Sequence, residues 1–86
     1  MYSHELFVVT ESHDSITKVL AVYDSDIDSK YQTVTLDSIL DYYESKFNNT
    51  QRYYDSDCGY IDVLDSNDML YYIVKVSKVN ALIKNK

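Results

Sequence analysis

Between Thr35 and Phe47, in TLDSILDYYESKF, apolar side chains recur at helical spacing. Leu36, Ile39, Leu40, Tyr43 and Phe47 fall at i, i+3, i+4, i+7 and i+11 and make one stripe. Asp37, Asp41 and Glu44 fall at i, i+4 and i+7 on another face. The spacing predicts an amphipathic helix over this stretch. Thr35 is the expected N-cap, Val34 and Ile39 are placed for a hydrophobic staple, and Asp37 complements the helix dipole. Asn48-Asn49 is the expected stop, because Asn tolerates the left-handed conformation of a C-cap.

The rest of the chain carries strand-like patterns. Glu5–Glu11 (ELFVVTE) and Ile16–Tyr23 (ITKVLAVY) are β-rich runs around the polar link Ser12-His13-Asp14-Ser15, the pattern of an antiparallel hairpin. Asp24–Lys30 is a loop by composition, and Tyr31–Val34 reads as a brief third strand. Thr50–Asp57 reads as irregular or as a weak edge strand. Gly59 is expected to permit a turn or bulge. Tyr60–Leu64 is the next strand, followed by a polar turn at Asp65–Asp68. Met69–Val79 (MLYYIVKVSKV) is the longest strand and the expected sheet centre. Asn80–Lys86 reads as a tail anchored by Leu82 and Ile83. The order β-β-(β)-α-β-β predicts an α+β fold, with one helix on one face of an antiparallel sheet of four to five strands.

Size and composition bound this picture. Eighty-six residues without proline, repeat or linker predict a single domain over residues 1–86. The single cysteine, Cys58, excludes an intramolecular disulfide framework and suits a reducing compartment. No secretory pattern follows Met1, and no apolar run approaches the roughly 18 residues of a membrane span. Neither a membrane nor direct binding of nucleic acid is expected. Charge is unevenly placed. Residues 1–68 hold all 14 acids against four bases, a net −10, while residues 69–86 hold four lysines and no acid, +4. Such a body repels nucleic acid and attracts basic surfaces.

Most catalytic and metal patterns fail on their own terms. Asp24, Asp26 and Asp28 open like an EF-hand loop, but Ser29 stands where glycine is needed and Thr35 where a bidentate Glu is needed. Cys58 lacks a base nearby in sequence, since His4 and His13 lie at the far end of the chain. One glycine cannot build a phosphate-cradling loop. No enzyme activity, metal or cofactor is expected.

Two features are left. Ten tyrosines, with doublets at Tyr42-Tyr43, Tyr53-Tyr54 and Tyr71-Tyr72, put several rings at the surface. Alternation on a strand turns one ring of a doublet inward and the other outward, and exposed tyrosines give contact area at small entropic cost. The second feature is the acidic helix face. Asp37, Asp41 and Glu44 rise about 6 and 4.5 Å apart along the axis, comparable to phosphate spacing on a duplex strand. Asp24, Asp26 and Asp28, or Asp55 and Asp57, would extend the row.

In composition, stretches such as DYYESKFNN, RYYDSDCGY and VLDSNDMLYY resemble the small early host-directed proteins of tailed phages. Some of these are DNA mimics that block restriction or CRISPR nucleases. The resemblance implies the host cytoplasm and assigns no residue roles. The expected function is therefore non-enzymatic binding and inhibition of a nucleic-acid-handling host protein through its basic surface. Asp24, Asp26, Asp28, Asp37, Asp41, Glu44, Asp55 and Asp57 would supply charge, and Tyr42 contact area. The alternative is an assembly or immunity-like module, homodimeric through an open strand edge, that uses its sheet and tyrosines.

Overall fold

The computed structural model describes the backbone of residues 2–24 and 34–83, and the side chains of 6–24 and 34–79. The chain runs β1 (Tyr2–His13), β2 (Ile16–Asp24), α1 (Leu36–Glu44), β3 (Thr50–Asp55), β4 (Cys58–Leu64) and β5 (Leu70–Ile83). All five strands form one antiparallel sheet in the order β2-β1-β5-β4-β3. It is the expected α+β architecture, with β5 at the centre.

The third strand is the main departure. It follows the helix as β3, whereas Val34 is irregular and residues 31–33 lie outside the described residues. Thr50–Asp55 carries no apolar alternation, because its helix-facing side chains are polar groups that find partners on α1. β1 begins at Tyr2, and β5 continues through Asn80–Ile83, because the two pair with each other from Tyr2–Ile83 to Ser12–Ile73. The expected tail is thus strand as far as Ile83. Asp24 ends β2 and does not open a loop.

The helix begins at Thr35 as its cap. Thr35 Oγ1 accepts from Ser38 N at 3.1 Å, and Ser38 Oγ accepts from Thr35 N at 2.8 Å, a reciprocal capping box. It ends at Glu44 with Ser45 as cap, three residues before Phe47. Phe47 still packs against the core from the loop. Asn49 serves a different purpose from stopping the helix. Its Nδ2 donates to Asp65 O at 3.2 Å and to Asp68 Oδ1 at 2.8 Å, tying this loop to the β4–β5 turn.

Ile39, Leu40 and Tyr43 bury against Phe7, Val9, Ile61, Val63, Val74 and Val76 of the central strands. Burial alternates strictly along β4, so Gly59, Ile61 and Val63 face the helix. Gly59 makes neither turn nor bulge. It has no positive φ, and the helix sits directly on it: a Cβ there would lie 2.5 Å from Leu40 Cδ1. The turns instead place Asp14 (φ 56°), Ser56 (φ 53°) and Asp68 (φ 62°) in the left-handed region.

Candidate functional site

The flank of α1 turned toward β3 carries the carboxylates. Asp37 and Asp41 are exposed and Glu44 half-exposed, in one row along α1. The neighbouring edge strand β3 braces this row. Alternation turns Arg52 and Tyr54 toward the helix. Arg52 Nη2 donates to Asp41 Oδ1 at 2.6 Å and to Glu44 Oε1 at 3.2 Å. The Tyr54 hydroxyl donates to Asp37 Oδ1 at 2.6 Å. Arg52 Nη1 reaches the same hydroxyl at 3.5 Å, so all five side chains form one network. The hydroxyl of Tyr54 and then the carboxylate of Asp41 raise the Arg52 pKa above its ordinary value, which keeps the guanidinium charged.

The brace changes the electrostatics. Three carboxylates around one guanidinium leave a net −2 in place of −3. The Asp41 side chain, at 71% exposed, still offers its outer edge to solvent, while Arg52 is 21% exposed beneath it. Arg52 and Tyr54 were not legible as site residues because Thr50–Asp57 did not read clearly as a strand. Their spacing of two was the available signal: on any strand they share a face.

The remaining expected residues separate. Asp57, in the β3–β4 turn, lines a shallow cleft at the helix N-terminus with Val34, Thr35, Leu36 and Lys78, a cleft that none of the helix carboxylates lines. Asp55 pairs with Cys58 on the opposite face of the sheet and does not join it. Asp24 ends the far edge strand, four strand spacings or about 19 Å from β3. Asp26 and Asp28 lie outside the described residues. The row the structure brings together is therefore Glu44, Asp41 and Asp37, without the extension through Asp24. Tyr42 is 53% exposed, its ring edge-on to Tyr43 and under Lys46 Nζ at 4.7 Å, and helical period sets it about 100° round the axis from Asp41.

The tyrosine doublets behave unequally. On β3, Tyr54 faces the helix and Tyr53 the other side, where it stacks on Tyr60 at 4.8 Å and 4°. On β5 the expected alternation fails. The register shifts beside Tyr71, and both rings of the doublet stack at 4.1 Å and 15°. His13 meets the pair edge-on at 5.1 and 5.2 Å. It stands about five residues, or about 17 Å, along the sheet from the level of Cys58, so the two do not combine. Among the described residues, no group of three or more His, Cys, Asp or Glu is placed to hold a metal ion. No helix among them is long and apolar enough to cross a membrane.

Comparison with family models, curated proteins and solved structures returns no match.

Proposed function

We propose that the chain is a non-enzymatic binding protein that blocks a nucleic-acid-handling partner by laying its acidic helix against that partner's basic surface. The supporting observation is the braced row itself. Asp37 and Asp41 are held at 2.6 Å by Tyr54 and Arg52, so their positions are set before a partner arrives. Pre-set carboxylates lose little side-chain entropy on binding. The net −10 over residues 1–68 adds long-range attraction toward a basic groove and repels competing nucleic acid. Tyr42, exposed across the outer surface of the helix from the row, supplies apolar contact area.

The test is competition. A panel of purified restriction and RNA-guided nucleases is assayed for binding to the chain, with duplex DNA as competitor, at about 50 and about 500 mM salt. For the true partner, displacement by DNA and a loss of affinity of about tenfold or more across that range are expected. Asp37→Lys with Asp57→Lys, which leaves the Arg52 pairs intact, is expected to abolish binding while circular dichroism stays unchanged. Affinity indifferent both to salt and to these reversals would sink the reading.

A further inference from the structure

We infer that the face of the sheet turned away from the helix is where a second copy of this chain docks, sheet against sheet. Strand alternation sets what this face carries. Phe7, Val9, Val74 and Val76 point at the helix, so Leu6, Val8 and Ile73 point the other way. The registers add Val22 opposite Val8, Val19 opposite Thr10 and Val79 opposite Leu6. In an antiparallel sheet with one solvated face, these positions are ordinarily polar. Here Val19 is 62%, Val22 54% and Val79 43% exposed, and the stacked Tyr53–Tyr60 pair continues the surface onto β3 and β4. Among the described residues the helix packs on β4 and β5 from the other side, and nothing crosses this one.

Size selects the occupant. The described residues of the five strands, each covering about 3.3 by 4.8 Å, make a face of at most about 600 Å². Two copies fully superposed then cover about 1,200 Å², which meets the roughly 1,000 Å² a stable interface requires. A single helix from another protein, about 10 Å across, would cover only two of the five strands. Charge is sparse on the central strands of this face, where Lys75 sits one strand from Asp62, while Asp24 and Asp55 lie on its two edge strands. The acidic helices lie behind both sheets. Layers about 10 Å thick keep them about 30 Å apart, well beyond the roughly 8 Å Debye length at physiological salt. A basic partner, by contrast, is drawn to the helix side.

Sedimentation velocity on the full chain tests this, with Val19→Lys and Val22→Lys as variants at positions the monomer leaves exposed. The wild type is expected at about twice 10.1 kDa and the double variant at 10.1 kDa. The lysines should raise the dissociation constant at least about tenfold. Cys58 lies on the docking face, opposite Ser77, and provides a readout without mutation. Its modification by a thiol reagent is expected to slow as wild-type concentration rises. A wild-type chain that is monomeric at about 0.5 mM, with Cys58 reactivity independent of concentration, overturns the inference. So does a lysine variant that remains folded and dimeric. A monomer that instead sediments with phosphatidylcholine vesicles assigns the face to lipid and also overturns it. The inference stands apart from the helix row: a monomer that binds a nuclease in a salt-sensitive way defeats only the docking, and a dimer that binds none defeats only the proposed function.

Discussion

Arg52 reaches from the edge strand β3 to Asp41 on α1 at 2.6 Å, and the same nitrogen holds Glu44 at 3.2 Å. One cation thus sits between two anions that would otherwise repel each other at i and i+3. Arg52→Gln is expected to lower stability by about 1 kcal/mol, the scale of a partly exposed charged pair with good geometry. The loss should shrink at high salt, where the freed carboxylates repel less. Urea midpoints at low and high salt check this. The same variant exposes the full charge of the row, so its salt-dependent binding to the partner is expected to steepen.

Leu40 and Gly59 form a second linked pair. Gly59→Ala forces a methyl to within 2.5 Å of Leu40 Cδ1, in a core where Leu40 is fully buried. A cost of about 1–3 kcal/mol is expected. Leu40→Ala alone should cost about 2–5 kcal/mol through the cavity it leaves. In the Leu40→Ala background, Gly59→Ala should be close to neutral, since the obstructing atoms are gone. A double-mutant cycle measured by denaturant unfolding gives the coupling directly. Additive losses would show that the helix does not rest on Gly59 as described.

Ser56 occupies the left-handed region at φ 53° without the local advantage that Asp enjoys at Asp14 and Asp68. Ser56→Gly removes a steric cost of about 1–2 kcal/mol but adds freedom to the unfolded chain. A net gain of about 0.5–1 kcal/mol is expected. It should appear as a higher thermal midpoint with unchanged fold.

Tyr43 sets the alkaline limit. Burial first, and then its hydrogen bond with Tyr23, push its pKa from 10.0 up to about 12. Burial and the charge of Asp62 move Tyr53 in the same direction. In the unfolded chain these hydroxyls ionise near 10. The folded state holds its protons more tightly, so this stability is fully present below about pH 10 and is lost as pH rises from 10 toward 12. Urea midpoints should be level up to about pH 9 and then fall. Tyr43→Phe should fall less steeply over that window, and an identical slope would show that Tyr43 is not responsible.

The parts of the fold that were legible in the sequence share one physical basis. Leu36, Ile39, Leu40 and Tyr43 repeat at 3.6 residues, and Val74 and Val76 alternate, because each contacts an apolar neighbour. β3 was obscured because Arg52 and Tyr54 point at carboxylates, so apolar alternation is missing where polar pairing replaces it. Gly59 was ambiguous for a similar reason. A lone glycine signals either a turn or a close approach, and only the position of Leu40 decides between them. The acidic row was legible along α1, where helical period alone aligns it. Its extension was not, because the strand order sets Asp24 and α1's neighbour β3 on opposite edges of the sheet.

Tyr2 pairs with Ile83, so the chain enters and leaves the sheet through adjacent strands about 5 Å apart. Entry and exit this close mean that the whole unit could be spliced into a surface loop of a carrier protein without prising that loop open. The point of attachment would also lie at the end of the sheet away from the Asp14–Ser15 hairpin. The same proximity would let a short peptide join Tyr2 to Ile83 and the chain be reopened at that hairpin, giving a permuted protein with the same neighbours in a new order.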